Sequence, residues 1–191
     1  AAFRARLDAL LDAPPSPGED VFALRLAADV CARVAGSNDE AVGALVAATR
    51  AAPQSQTRWE ALADLHARLG AWQEAAAALE EAAQIERDAS RRSRLYLRVG
   101  EVYADRLSLP LPALEHFLVS FMCDRGSATT IARLEQVYGQ LGRWRDLAGT
   151  YALGAAYAAQ NVGLAETEAW TLLAHRARVE LLRLGDADGA V

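Results

Sequence analysis

The run Leu-Gly-x-Trp constrains this chain more than any other feature in it, and it occurs twice, at Leu69–Trp72 and Leu141–Trp144. Ahead of the first copy, Trp59, Leu62, Leu65, His66 and Leu69 recur at intervals of three, four and seven, the spacing of one helix face. Gly70 then supplies the positive φ that ends a helix. After it Ala75, Leu79, Ala82 and Ile85 form the stripe of a second helix. Small residues at Ala75 and Ala82 let a neighbouring helix come close, and Trp59 and Leu79 fill the space such an approach leaves. A hairpin of two short helices cannot bury both its faces by itself, so it requires copies on either side.

The copies can be counted. From Ala41 to Ala75 is 34 residues, from Ala75 to Ala113 is 38, from Ala113 to Leu147 is 34, and from Leu147 to Ala190 is 43. The hairpin before Trp59 has Leu24, Ala27, Ala28, Cys31 and Val34 over Val21–Ala35, then Ala41, Leu45 and Ala48, with Pro53 as a stop. Ser37 with Glu40, and Thr57 with Glu60, have the spacing of capping boxes. The third hairpin places Tyr96, Val99, Gly100 and Tyr103 before Ala113, Phe117 and Phe121. Its extra length is assigned to an expanded turn at Ser108-Leu109-Pro110-Leu111-Pro112. The fourth has Ile131, Leu134, Val137, Tyr138 and Leu141, then Trp144, Leu147 and Tyr151. A turn at Asn161-Val162-Gly163 leads into a helix over about 164–184, with Trp170, Leu173, Ala174, Ala177, Leu181 and Leu184 expected inward. At the other end Phe3, Leu7, Leu10 and Leu11 mark a helix over Ala1–Asp12, stopped by Pro14, Pro15 and Pro17. The chain opens without Met inside a helical pattern and ends at Val191 with a second helix barely begun, so a segment of a longer protein is expected.

The pattern Trp-x-x-Leu-x-x-Leu, then Leu-Gly, then Ala with Leu and Ala four and seven residues on, resembles the tetratricopeptide repeat. The resemblance implies an all-α, right-handed α-solenoid of antiparallel helix pairs with degenerate, expanded repeats. Hairpins are expected over 20–54, 55–89, 90–125 and 126–162, with fragments at 1–17 and 163–191, all in one solenoid segment. Repeats of the armadillo or HEAT kind run about 40–47 residues, and the intervals of 38 and 43 keep that architecture open.

Composition narrows the function classes. The chain is 52% hydrophobic with 7% aromatic residues, which suits helices packed through alanine. Its net charge of −5 gives no global attraction to nucleic acid or to an anionic membrane surface. No apolar run approaches the ~20 residues that span a bilayer. All 20 basic residues are Arg. That either favours forked contacts with carboxylates or reflects the codon usage that also enriches alanine. Cys31 and Cys123 fall in different repeats and are expected as buried free thiols, which suits a reducing, cytoplasmic compartment.

Catalytic and metal chemistry find no constellation. His66, His116 and His175 lie in three hairpins without a ligand partner at metal spacing. A phosphate loop is excluded by the missing lysine, and no nucleophile elbow is present. Neither an enzyme activity nor a cofactor is expected. The resemblance implies instead a protein-interaction scaffold that takes a partner peptide or helix in the concave groove lined by the first helix of each pair. By register that face carries Glu60, Asp64 and Arg68, then Arg94, Arg98, Glu101 and Asp105, then Arg133, Gln136 and Gln140, then His175 and Arg178. The partner-binding residues expected from it are Arg68, Arg94, Arg98, Glu101, Arg133, Gln136 and Arg178, with an acidic peptide suited to the arginines. Family members that clamp a C-terminal carboxylate use lysines and asparagines there. Glu60, Asp64 and Arg68 do not match them. A regulatory arm of a larger multidomain protein is the alternative reading.

Overall fold

The structure, a computed structural model, describes residues 38–160 and 166–184, and every regular element among them is helical. The expected helices over Ala1–Asp12 and Val21–Ala35, Cys31, Ser37 of the first capping box, the turn at residues 161–163, Ala190 and the side chains of Ala41, Ala48, Trp170, Leu181 and Leu184, expected inward, lie outside the described residues. The chain divides into two compact units, Ala1–Arg87 and Asp88–Val191.

In the first unit, α1 (Asn38–Ala51), α2 (Gln56–Arg68) and α3 (Trp72–Ile85) follow one another, α2 packing on α1 and along the length of α3. Leu45, Ala61, Leu62, Ala63 and Leu65 are buried with Ala75, Ala76, Leu79, Ala82 and Ala83. The alanines of α3 let the pair come close, since a methyl group takes little room between two helices. Gly70 has φ +75° and closes α2 as expected. Its N–H donates to the Ala67 carbonyl at 3.1 Å, and the Ala71 N–H donates to that of His66 at 2.9 Å, the paired bonds of a Schellman ending. The second capping box does not form. Ser55 stands at the N-cap, so Thr57 is already inside the helix and its hydroxyl meets that of Ser55 at 3.1 Å. Glu60 accepts instead from Gln56 Nε2, one turn back, at 2.7 Å.

The second unit holds α4 (Ala89–Glu101), α5 (Pro110–Cys123), α6 (Ala128–Leu141), α7 (Trp144–Gln160) and α8 (Glu166–Val179). Asp88 caps α4 by accepting from the Arg91 N–H at 2.8 Å, and Ser127 caps α6 by accepting from Thr130 at 3.3 Å. Phe117, Phe121, Ile131, Leu134, Val137, Tyr138, Leu147 and Tyr151 form one buried core. Beneath it runs a hydroxyl relay joining three helices. Ser120 Oγ donates to the Ser93 carbonyl at 2.8 Å, Ser93 Oγ to the Ser120 carbonyl at 3.0 Å, and the Ser120 and Thr130 hydroxyls meet at 3.1 Å. Each of these buried polar groups has a partner, so the relay fixes the register of the helices without leaving an unsatisfied group.

The extra length of the third hairpin sits elsewhere than the sequence suggests. α4 continues as a π-helical turn over Val102–Arg106, closed by the Leu107 N–H on the Val102 carbonyl at 3.1 Å, and Ser108 then takes φ +56°. Pro110 and Pro112 belong to the first turn of α5, where a missing N–H costs nothing. The insertion is thus taken up by widening the end of the first helix.

Helix α8, extended by a π turn over Glu180–Leu184, also departs from expectation. Leu172 and Val179 pack on the core, whereas Leu173, Ala174 and Ala177 are exposed. The helix carries apolar residues on two stripes about a third of a turn apart, and the one facing α7 is not the one the repeat pattern marks.

Candidate functional site

Counting from one Leu-Gly-x-Trp to the next gives an offset of 72 residues, which superimposes Gly70 on Gly142, Leu79 on Tyr151 and Ala63 on Glu135. Gly142 repeats the Gly70 ending in full. It has φ +67°, its N–H donates to the Gly139 carbonyl at 3.3 Å, and the Arg143 N–H donates to that of Tyr138 at 3.0 Å. Trp144 then folds its indole back against Gly139.

The exception is Glu135. Among the described residues, the second and third hairpins carry a small first-helix residue at this position. Ala63 is buried in the second hairpin. Gly100 is buried in the third, where a Cβ would overlap the Phe117 ring. In the fourth, Glu135 stands beside Tyr151. A carboxylate cannot enter that contact, and α6 and α7 meet along a far shorter stretch than α4 and α5 or α2 and α3. α7 packs chiefly on α8 instead, where Gly154 admits Leu172.

A cleft of about 530 Å³ opens between α6, α7 and α8. Leu147, Trp144, Val179 and Leu182 give it apolar walls, and Glu135, Gln136, Tyr151, His175, Arg178 and Arg183 bring polar groups to it. Tyr151 is only 1% exposed, and its buried hydroxyl interacts with the Glu135 carboxylate without forming a hydrogen bond of ordinary geometry. Burial, with the Glu135 carboxylate adding to it, pushes that phenol's pKa well above the ordinary tyrosine range. The His175 ring meets Tyr151 edge-on, centroids 5.6 Å apart. Arg183 lies over the Trp144 ring at 4.9 Å. A second, more apolar cleft of about 320 Å³, with Ile131, Ala132 and Leu172 in its walls, lies on the other side of Glu135 and His175.

The residues expected on the first-helix face are distributed as follows. In the first unit, Glu60 and Asp64 are half-buried and Arg68 is exposed. In the second, Arg133 of α6 reaches across to the preceding first helix. Its Nη2 donates to Glu101 at 3.1 Å and Asp105 at 2.6 Å, and its Nη1 to Gln136 at 3.2 Å. Burial lowers the Arg133 pKa, but the Asp105 and Glu101 carboxylates outweigh it and hold it above the ordinary value. Four of the expected residues therefore form one network, in which Arg133 already has two carboxylates of this chain as partners. Arg94 is exposed and Arg98 half-buried on α4, and Gln140 is exposed at the end of α6. Gln136, His175 and Arg178 lead into the cleft. Sequence reasoning did not single out Glu135 and Tyr151 as a site, although the offset of 72 places that carboxylate where Ala63 stands.

His116 lies under Tyr103, rings parallel and centroids 5.1 Å apart, with Tyr96 at 6.2 Å. Cys123 is a free thiol, half-buried rather than fully buried, and its Sγ takes a contact from Arg92 Nε at 3.3 Å. Among the described residues no group of three or more His, Cys, Asp or Glu is arranged to hold a metal, and no helix is long and apolar enough to cross a membrane.

No protein-family model matches the chain, and no curated protein does. Solved structures do. A crystal structure of MamA matches with a TM-score of 0.52 at 16% identity, covering 93% of this chain and 88% of that one. Another MamA crystal structure gives 0.52 at 16% identity over 90% of this chain and 88% of its own. A tetratricopeptide repeat protein from Parabacteroides merdae ATCC 43184 gives 0.51 at 15% identity, with 93% of this chain covered and 64% of that one. At these identities the likeness speaks for fold, and it agrees with the hairpin lengths, the Schellman endings and the small-against-large contacts described above. By fold this is a tetratricopeptide-repeat-like chain, an all-α solenoid of helical hairpins.

Proposed function

We propose that this chain is a protein-interaction scaffold that binds a partner peptide or helix along the polar face of its first helices, the concave face of the repeat, without catalysis. The observation that carries the reading is the Glu101–Asp105–Arg133–Gln136 network, which spans two successive first helices and holds their polar side chains in a fixed array. A preformed array loses little side-chain entropy on binding, so a few contacts suffice for affinity. Arg133 belongs to the frame of that surface. Arg94 and Arg98 on α4 and Arg178 on α8, in the same unit, supply the forked donors for an acidic partner.

Affinity capture with the whole chain tests this. Wild type and the Glu81→Arg control, altered on an exposed second-helix position, are expected to retain the same partner, and Arg94→Glu with Arg98→Glu to weaken it at least tenfold. Retention at full strength by the double variant would contradict the reading.

A further inference from the structure

The fourth hairpin gives up a close helix contact at Glu135 and Tyr151, and what it holds there instead has the parts of a binding site. A phenol that is 99% buried, interacting with the Glu135 carboxylate but without a hydrogen bond of ordinary geometry, lines a cleft of about 530 Å³. A buried hydroxyl without a full hydrogen bond is costly, and a ligand that supplies a partner removes that cost. The charges on the cleft are Glu135 against Arg178 and Arg183, with His175 beside them, an excess of positive groups. A lysine or arginine side chain would meet two guanidiniums. A small inorganic anion would satisfy those but leave the Trp144, Leu147, Val179 and Leu182 walls uncovered. A peptide carrying a carboxylate next to an apolar side chain meets both requirements, and its backbone N–H is an uncharged donor for the acceptor pair of Glu135 and the Tyr151 hydroxyl.

We infer that this cleft seats one acidic segment of the partner, with an Asp or Glu side chain between Arg178 and Arg183, the adjacent backbone N–H turned to Glu135 and Tyr151, and an apolar side chain against Trp144 and Leu182. This rests on the scaffold reading and adds to it a particular seat. The Trp144 face is partly covered by Arg183, so the guanidinium swings toward the ligand carboxylate as the apolar side chain arrives.

The test uses the whole chain labelled with ¹⁵N, following the Trp144 indole N–H signal, identified by its loss in Trp144→Phe. The probe is a pool of capped octapeptides in which Asp or Glu neighbours Leu or Phe. The control pool has Lys or Arg in place of the acids. The acidic pool is expected to move the Trp144 signal saturably and the basic pool to leave it in place. For the tightest acidic peptide, Arg178→Glu should weaken binding at least tenfold and the isosteric Tyr151→Phe about fivefold. An unmoved signal with the acidic pool, equal movement with the basic pool, or unchanged affinity in Arg178→Glu would overturn the assignment. A captured partner lost by Arg94→Glu with Arg98→Glu but held fully by Arg178→Glu would overturn the cleft and leave the scaffold standing. No captured partner and no shift would end both.

Discussion

Gly100 and Glu135 occupy equivalent places in successive hairpins, and the contrast between them shows how much one side chain decides. At Gly100 the absence of a Cβ lets the Phe117 ring lie against the α4 backbone. Gly100→Ala is expected to destabilise the second unit by about 1–3 kcal/mol through overpacking, read as a lower urea midpoint with an unchanged slope. The place of Gly100 was legible in the sequence as the small member of Tyr96, Val99, Gly100 and Tyr103. Glu135 was not, because it is exposed like any charged residue on a helix, and only the contact missing across the pair gives it away. His66 offers a second test at this scale. Burial lowers its pKa, partly opposed by the Glu74 carboxylate. The folded state therefore binds that proton less readily than the unfolded chain. The neutral ring's contribution is present above the unfolded pKa of about 6.5 and is lost as pH falls through the lowered folded value. Between pH 7.5 and 5 the urea midpoint of His66→Gln should fall less than that of wild type.

At the scale of elements, the two Leu-Gly-x-Trp runs became two Schellman endings with the same hydrogen bonds, so local sequence dictates the turn regardless of what packs on it. Gly70→Ala and Gly142→Ala each force a Cβ into the left-handed region and should cost about 1 kcal/mol apiece, nearly equal to one another, by denaturant unfolding. The hairpin spacings were legible for the same reason. How an insertion is absorbed was not. The prolines at Pro110 and Pro112 invite a longer turn, but proline suits the first turn of a helix equally well, and the widened π turn before Ser108 leaves no mark in the hydrophobic pattern. The α8 face was misread because both its stripes are apolar. Choosing between Leu172 and Leu173 needs the neighbour that Gly154 admits.

For the molecule as a whole, among the described residues the second and third hairpins pack closely along their length and the fourth packs loosely. The polar network around Arg133 and the cleft below Tyr151 lie in that same second unit. Function at a repeat's irregular point implies a stability cost there, since residues placed for binding are seldom the best for packing. Restoring a small residue at position 135 should then leave the fold intact or firmer while removing the seat's acceptor. The most direct measurement is the urea unfolding of Glu135→Ala beside wild type. The expected result is a variant as stable as wild type or more so, by about 0.5 kcal/mol from helix propensity. A loss of stability above about 1 kcal/mol, the worth of an ordinary hydrogen bond, would show Glu135 to be a support of the core and contradict it.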